Sequence, residues 1–269
     1  MTNQQLDGKT ALVTGGAGIL GQHFCKALAD AGATVVVADL DINAAKLTIE
    51  NFGELSRHGS YAVKCDVSNP QSVTDMIDLI EQRNQTIDIL VNNAATKTND
   101  LDAFFDPFES YSLKTWREVN SVNLDGMFLV AQAVGNHMIK NQIRGSIIQI
   151  ASIYGVVAPD QRIYEGSEFK GRPINSPAIY SVSKAGVIAL TNYLAAYWGD
   201  KGIRVNTISP GGIISGQNNE FVSRYSKRVP MRRMGEATEL IGALLLLASD
   251  YSTYINGQNI VIDGGLSTW

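Results

Sequence analysis

The chain has little cysteine, histidine or proline. Its 269 residues include two cysteines and seven prolines, together with three histidines. Cys25 and Cys65 are too few for a disulfide framework and lack C-x-x-C spacing, so we interpret both as small buried apolar residues. His23, His58 and His137 do not have the spacing of metal ligands, and we predict no metal site.

An excess of basic charge is also missing. There are 22 Lys and Arg against 26 Asp and Glu, a net charge of −4, which argues against a nucleic-acid partner bound by phosphate neutralisation. No apolar run approaches the roughly 20 residues that span a bilayer. The segment Met1 to Asp7 lacks the basic start and apolar core of a signal peptide. We therefore expect a cytoplasmic protein without nucleic-acid or membrane partners.

Short apolar runs rich in Val, Ile and Leu alternate with longer segments of helical period. This alternation is typical of βαβ units, and runs that are apolar throughout indicate strands buried on both faces. Strands are predicted at Thr10 to Thr14, Thr34 to Ala38, Tyr61 to Lys64, Ile87 to Val91, Gly145 to Ala151, Arg204 to Ile208 and Asn259 to Ile262.

The helical segments lie between these strands. They are Leu20 to Ala31, Ile42 to Ser56, Gln71 to Arg83, Leu113 to Lys140, Pro177 to Trp198 and Glu236 to Ser249. No linker, charge block or repeat divides the chain. We predict an α/β fold, a three-layer doubly wound parallel β-sheet in a single domain over residues 1–269.

A glycine-rich turn follows the first strand. It runs from Gly15 through Gly18, Ile19 and Leu20 to Gly21, directly before a helix. Strand, glycine turn and helix in this order form the pyrophosphate site of a Rossmann fold, because glycine permits close backbone approach and the helix N-terminus attracts an anion. We place the cofactor-binding part at about residues 8–95 and the catalytic and substrate part at about 96–269.

Asp39, followed by Leu40, ends the second strand 18 positions after Gly21. A carboxylate at this place accepts hydrogen bonds from the adenosine ribose hydroxyls and repels the 2′-phosphate of NADP. Neither the glycine turn nor the immediate neighbours of Asp39 contain Lys or Arg. We therefore predict NAD rather than NADP. The alternative role for Asp39, a helix N-cap, can be filled by Asp41.

Tyr180 and Lys184 are spaced to lie on one face of a helix. Ser176 and Pro177 resemble an N-cap and a first helical residue, so the helix is expected to begin just before Tyr180. To take up a proton near neutral pH, a tyrosine needs its pKa lowered by about 3 units. An ammonium group achieves this only where water is largely excluded. The site should therefore be sheltered.

Together these motifs resemble the short-chain dehydrogenase/reductase family over essentially the whole chain. The residues that carry the resemblance are the glycine turn, Asp66-Val67, Asn92-Asn93-Ala94-Ala95, Asn123, Ser152, Tyr180 with Lys184, Pro210-Gly211 and the closing Asp263-Gly264-Gly265. The resemblance implies an oxidoreductase that uses NAD and acts on CH–OH groups. It also implies a homotetramer or dimer.

The resemblance further implies roles for individual residues. Tyr180 would be the general acid/base, Ser152 would hold the substrate oxygen, and Lys184 would bind the nicotinamide ribose. Asn123 would position a water in a proton relay. Cofactor contacts are implied for Gly15, Gly18, Ile19, Leu20, Gly21, Asp39, Leu40, Asp66, Val67, Asn93, Ala94, Ala95, Tyr180, Lys184, Pro210, Gly211, Ile213 and Ser215.

Two features depart from the family pattern. Ile19 stands where single-domain members usually have the middle glycine, a spacing similar to the extended branch that acts on sugar nucleotides. Only 59 residues follow Pro210, too few for the extended branch's substrate domain, which favours the single-domain branch. The gap of 28 positions between Ser152 and Tyr180 is unusually long, and we call residues 155–176 the insertion.

Polar side chains in the insertion predict a small, hydrophilic substrate that is rich in hydroxyl groups or acidic; a solvated lid without this function is the alternative. The polar side chains are Asp160, Arg162, Tyr164, Glu165, Glu168, Lys170 and Arg172. The run from Ser152 to Pro159 is also similar to oxidoreductases of bacterial surface-glycan pathways. A second long segment, Thr96 to Ser112, is a further candidate wall of the substrate site.

Three functions stay open at this point. The first is an NAD-dependent dehydrogenase or reductase of an alcohol or sugar, favoured by the set Asn123, Ser152, Tyr180 and Lys184. The second is a sugar-nucleotide epimerase or dehydratase with tightly bound NAD, favoured by the glycine spacing and the polar insertion. The third is a non-catalytic dinucleotide-binding protein, which would typically have lost one of the four residues.

Overall fold

A parallel sheet forms the centre of the molecule. The computed structural model describes residues 5–53, 59–83, 85–169 and 171–269. Within this part of the chain the seven-stranded sheet has the order β3-β2-β1-β4-β5-β8-β9, and all pairs are parallel. Its strands are β1 Thr10–Thr14, β2 Thr34–Asp39, β3 Tyr61–Lys64, β4 Ile89–Asn92, β5 Ser146–Ile150, β8 Arg204–Pro210 and β9 Asn259–Ile262. All seven strand predictions are confirmed, with ends that differ by at most two residues.

Helices cover both faces of the sheet. They are α1 Ile19–Asp30, α2 Ile42–Glu50, α3 Pro70–Gln82, α4 Leu101–Phe104, α5 Leu113–Asn120, α6 Met127–Lys140, α7 Ala178–Trp198, α8 Asn219–Arg228 and α9 Ile241–Ala248. One buried cluster joins α1 and α9 to the sheet, and another joins α3, α6 and α7 to the opposite face. The predicted three-layer Rossmann-like fold is therefore confirmed.

Several helices differ from the sequence prediction. The segment Leu113 to Lys140 is not one α-helix, because a π-helical turn at Ser121–Gly126 separates α5 from α6. Helix α2 ends at Glu50, and residues 54–56 of its predicted extent lie outside the described residues. The short helix α4 and helix α8 had no counterpart in the prediction.

The insertion is folded rather than extended. It contains a 3-10 turn at Gln161–Tyr164 and a small antiparallel hairpin of β6 Glu168–Phe169 and β7 Arg172–Pro173. Among the described residues, no helix is both long enough and apolar enough to cross a membrane.

The strand order positions the functional groups. β1 and β4 are neighbours at the centre of the sheet. The chain continues from β1 to β2 on one side and from β4 to β5 on the other, so it leaves these two strands in opposite directions. In open α/β sheets a crevice forms at this point, outside the carboxyl ends of the strands. The loops that begin at Gly15, Leu40 and Asn93 all start at this edge.

Candidate active site

The glycine turn is packed too closely for side chains. Gly15 has a φ of +59°, and a Cβ there would lie 2.8 Å from the Cα of Ala94. A Cβ on Gly21 would overlap the carbonyl oxygen of Gly15. Helix α1 begins at Ile19, and its N-cap Gly18 provides no side-chain hydrogen bond, so the first N–H groups of α1 face the crevice. This arrangement suits an anion.

Asp39 is held against this turn. Its carboxylate accepts hydrogen bonds from the backbone N–H groups of Ala17, at 3.0 Å, and Asp41, at 3.1 Å. Asp41 caps α2 through the N–H groups of Asn43 and Ala44, so Asp39 is not the helix cap. Lys64 lies opposite Asp39 in the register of β2 and β3. This basic neighbour was not predicted, because it is distant from Asp39 in the sequence.

Asn93 supports the turn from the next strand. Its Nδ2 donates to the carbonyl oxygens of Thr14, at 3.1 Å, and Gly15, at 3.0 Å. Its backbone N–H donates to the Thr14 hydroxyl at 3.0 Å. The Asn93 side chain therefore fixes the glycine turn to the end of β4.

These residues border a cleft of about 570 Å³, which we call the inner cleft. Thirteen residues predicted to bind a cofactor line it: Gly15, Gly18, Ile19, Leu20, Asp39, Leu40, Asp66, Val67, Asn93, Ala94, Ala95, Tyr180 and Lys184. Sequence reasoning missed further lining residues, which are Ala17, Ala44, Cys65, Thr96, Val122, Ile150 and Ala151. Most of these are apolar and carry no distinctive sequence signal.

A second cleft of about 400 Å³, the outer cleft, shares Ile19 and Tyr180 with the inner cleft. Gly211, Ile213 and Ser215 line this outer cleft, whereas Gly21 and Pro210 line neither of the two. Gly21 acts through close packing, and Pro210 is buried at the end of β8. The two clefts therefore meet at the Tyr180 side chain.

Three polar groups meet where β5 ends and α7 begins. Ser152 lies two residues after β5, and its hydroxyl accepts a hydrogen bond from the Tyr154 N–H at 3.2 Å. The same hydroxyl lies near enough to Tyr180 to lower the pKa of the phenol. The Lys184 ammonium is buried; it lies 6.0 Å from the centre of the Tyr180 ring and donates to the Ile150 carbonyl oxygen at 2.9 Å. Tyr180 and Lys184 lie on one face of α7, as predicted, and this face is directed into the site.

Burial shifts both titratable groups toward their neutral forms. It raises the pKa of Tyr180, although the hydrogen bond with Ser152 acts in the opposite direction. It lowers the pKa of Lys184 from 10.5 to about 8. The site is sheltered as expected. However, the protein alone does not lower the tyrosine pKa, so a further positive charge is required to favour the phenolate.

Asn123 lies in the π-helical turn and is fully buried. Its Oδ1 accepts from the backbone N–H of Thr96 at 2.7 Å, and its Nδ2 donates to the Thr96 carbonyl oxygen at 3.1 Å. The side chain thus fastens the loop after β4. Single π turns inside helices occur frequently at functional sites.

The start of α7 differs from the prediction. The helix begins at Ala178 with Pro177 as its N-cap, and Ser176 does not cap it. Instead, the backbone of Ser176 is bound twice by Gln161, whose Oε1 accepts from the Ser176 N–H at 3.1 Å and whose Nε2 donates to its carbonyl oxygen at 2.8 Å. Ser176 therefore anchors the insertion at the outer cleft.

The expectation that the polar side chains of the insertion line the substrate site is largely wrong. Of the six named residues that the structure describes, Tyr164 alone lines the outer cleft. Asp160 pairs with Arg162 and with Arg228 of α8, and Glu165 lies 3.7 Å from Arg224. These carboxylates pair with a helix that sequence reasoning did not predict.

On the other side of the insertion, Arg172 pairs with Asp102 of α4, and Asn175 donates to the Phe105 carbonyl oxygen at 2.7 Å. Lys170 lies outside the described residues. The insertion and the segment from Thr96 to Ser112 both reach the outer cleft, but they contribute mainly aromatic, aliphatic and uncharged polar side chains.

The residues present fit a nicotinamide dinucleotide. The uncapped N-terminus of α1 suits the pyrophosphate, and the Asp39 carboxylate suits the ribose hydroxyls. The inner cleft runs from Asp39 to Tyr180. Within the described ranges there is no group of three or more His, Cys, Asp or Glu residues arranged to hold a metal ion.

Comparisons with known proteins agree with this geometry. The family model described as enoyl-(acyl carrier protein) reductase matches residues 15–267. D-threitol dehydrogenase from Mycolicibacterium smegmatis is 35% identical over 267 residues, which cover 97% of this chain and 94% of the relative.

Two solved structures are similar over nearly their whole length. A short-chain dehydrogenase from Leptospira borgpetersenii with bound NAD+ has a TM-score of 0.86 at 33% identity, covering 98% of this chain and 95% of its own. A gluconate 5-dehydrogenase from Burkholderia cenocepacia, in complex with NADP and tartrate, has a TM-score of 0.84 at 32% identity. It covers 100% of this chain and 98% of its own.

The site and fold define a nicotinamide-dinucleotide oxidoreductase that acts on CH–OH groups. The chain belongs to the short-chain dehydrogenase/reductase family.

The pKa of Lys184 has a measurable consequence for stability. Between about pH 8 and 10.5 the unfolded chain holds the Lys184 proton and the native chain does not, so the contribution of this residue to stability rises with pH. The free energy of unfolding of the wild type relative to Lys184→Met should therefore increase by about 1 kcal/mol per pH unit from pH 8 to 10. Urea unfolding at several pH values measures this difference.

Lys46→Met, at an exposed lysine of α2, is the matched control and should show no comparable slope. A flat difference between the wild type and Lys184→Met over this range would contradict the assigned burial of the ammonium.

Proposed function

We propose that this protein interconverts a secondary alcohol and a ketone on a small sugar-like or polyol substrate, with NAD as the preferred cofactor. The observation that carries this proposal is the position of Tyr180. It lies where the inner and outer clefts meet, Ser152 lines the outer cleft beside it, and the Lys184 ammonium lies 6.0 Å from the centre of its ring.

In the oxidation direction, Tyr180 takes the proton of the substrate hydroxyl and Ser152 holds the substrate oxygen by a hydrogen bond. The start of α1 and Asp39 would hold a nicotinamide dinucleotide in the inner cleft, and its oxidised ring would supply the hydride acceptor and a positive charge next to the phenol. The Lys184 ammonium favours the phenolate from the other side, because the two groups interact in surroundings of low polarity. Reduction is the same sequence reversed.

The remaining predicted residues have supporting roles in this proposal. Asn123 fixes the loop after β4 through Thr96, so its side chain is occupied. The relay water that the resemblance implies for Asn123 stays a prediction. Asp66 and Val67 border the adenine end, while Asn93 and Ala94 border the nicotinamide end. Ile213 and Ser215 contribute from the outer cleft.

The outer cleft supports a substrate with hydroxyl groups. Its uncharged polar side chains include Asn175, Ser176 and Gln217, set between aromatic rings such as Tyr164 and Phe104. Apolar walls with a few placed polar groups are typical of small-molecule sites. Similarity to a threitol dehydrogenase and a gluconate dehydrogenase points in the same direction.

The oligomeric state and location follow from the family resemblance and stay predictions. We infer a homotetramer or dimer, supported by exposed apolar side chains along α7, namely Val182, Tyr193 and Tyr197. We also infer a cytoplasmic location. The narrower similarity to surface-glycan oxidoreductases stays an unconfirmed prediction.

Replacing Tyr180 by Phe removes only the hydroxyl group that transfers the proton. We expect turnover to fall by at least about a hundredfold while NAD binding changes little, because the ring remains to line the inner cleft. Steady-state NADH formation and calorimetric titration with NAD measure the two effects. Tyr193→Phe, on the exposed face of the same helix, is the control and should behave as the wild type. Full turnover in Tyr180→Phe would refute the assignment.

Asp39 should set the choice of cofactor. The backbone N–H groups of Ala17 and Asp41 bind different oxygens of the Asp39 carboxylate, so Asp39→Asn can keep one of these hydrogen bonds through its amide oxygen. The negative charge that repels a 2′-phosphate is gone. Two like charges about 4 Å apart near a protein surface repel each other by a few kcal/mol. Removing this repulsion should raise the ratio of kcat/KM for NADP over kcat/KM for NAD at least about tenfold.

Asp41→Asn is the matched control, because asparagine preserves the cap of α2 and the residue lies two positions away. An unchanged cofactor ratio in Asp39→Asn would show that Lys64 or another group decides the preference. Equal use of both cofactors by the wild type would contradict the proposed preference for NAD.

A further inference from the structure

The outer cleft contains one charged side chain. Of the described residues that line it, Lys97 alone is Lys, Arg, Asp or Glu; the others are aromatic, aliphatic, small or uncharged polar residues. Lys97 follows β4 by five residues and reaches the cleft from the loop that also supplies Phe104 and Phe105. In the insertion, Asp160 and Glu165 pair with arginines of α8, and Arg172 pairs with Asp102 of α4.

The backbone on both sides of Lys97 is held firmly. Before it, Thr96 is bound at its N–H and its carbonyl by the buried side chain of Asn123. After it, Thr98 has a φ of +68°, a left-handed conformation that is costly for a β-branched residue, by about 1–3 kcal/mol.

Two hydrogen bonds retain this strained residue. The Thr98 N–H donates to the Thr96 hydroxyl at 3.0 Å, and the Thr98 hydroxyl donates to the Asp100 carbonyl oxygen at 3.0 Å. Residues in such conformations cluster at ligand sites. Here the strained residue is the direct neighbour of Lys97. The loop therefore fixes where the Lys97 side chain begins.

The surroundings of Lys97 favour an anion. Its side chain remains accessible, but the neighbouring atoms partly remove the ammonium from water, and this burial lowers its pKa. Phe104, Phe105 and Ile174 line the same cleft. In surroundings of low polarity, a charge-assisted hydrogen bond to a carboxylate or phosphate is stronger than one to a hydroxyl group.

We propose that Lys97 recognises an anionic group on the substrate, so that the outer cleft selects an acidic sugar derivative over the neutral polyol of the same skeleton. This inference rests on the proposed function, because it assigns a substrate class to the same cleft. The shared chemistry is an anion, either a carboxylate or a phosphate ester, and the experiment separates the two.

The test compares substrates that differ only in one terminal group. Four-, five- and six-carbon alditols are assayed for NADH formation beside the aldonates and the terminal alditol phosphates of the same skeletons. The variants are Lys97→Met, which keeps the length of the stem without its charge, and Lys97→Arg, which keeps the charge.

The wild type should prefer one of the two anionic series by at least about tenfold in kcat/KM, since hydrogen bonds to charged groups contribute on this scale. Lys97→Met should lose this preference mainly through KM, and Lys97→Arg should retain most of it. The anion should also raise the Tm of the NAD-loaded wild type more than that of NAD-loaded Lys97→Met.

Two results would overturn the inference while leaving the proposed function in place. One is a wild type that oxidises the alditols better than either anionic series. The other is a Lys97→Met variant whose kcat/KM values fall in equal proportion on all three series. Absence of NADH formation by the wild type on every compound would overturn the proposed function, and this inference with it.

Discussion

The buried hydrogen bond from the Lys184 ammonium to the carbonyl oxygen of Ile150 is the contact on which the site depends. It joins the first turns of α7 to the last residue of β5. Ser152 follows β5 by two residues, and Tyr180 lies one helical turn before Lys184, so this one contact brings three polar groups together. Burying an ammonium beside a neutral carbonyl is unfavourable. The rest of the fold must stabilise it.

The sheet and its helices provide that stabilisation. α7 packs over β5 and β8 through a large apolar cluster that includes Trp198, Leu194 and Val205. The same packing places Tyr180 at the boundary of the two clefts. Because the inner cleft follows the carboxyl ends of β1, β2 and β4, a cofactor bound there reaches the tyrosine from one side. A substrate in the outer cleft would approach it from the other side.

What could be predicted from sequence was local. The strands are continuous apolar runs, the glycine turn lies between a strand and a helix, and Tyr180 and Lys184 are four residues apart on one helix; each signal is complete within a short segment. Tertiary contacts were not predictable in this way. Asp160 and Glu165 looked like substrate ligands until α8 supplied Arg228 and Arg224 as partners.

Two further features depend on distant residues in the same way. Ser176 resembled a helix cap, but Gln161 binds its backbone. The segment from Thr96 to Ser112 was predicted as a wall of the substrate site, but nothing in the sequence singled out Lys97 within it. The position of Lys97 depends on Asn123 of the π-helical turn and on the strained backbone at Thr98. The division into a cofactor-binding part up to about residue 95 and a catalytic and substrate part after it stays a prediction. Thr96 and Val122 also line the inner cleft, so the boundary between the two parts is not sharp.

The central claim is that the tyrosine at the junction of the clefts carries out net oxidation of an alcohol. The most direct test is to follow NADH absorbance with the wild type and NAD over polyols, sugar acids and nucleotide sugars, with chromatographic analysis of the product. We expect NADH and ketone in equal amounts with at least one polyol or sugar acid. Conversion of a nucleotide sugar to an isomer or dehydrated product without net NADH would contradict the central claim.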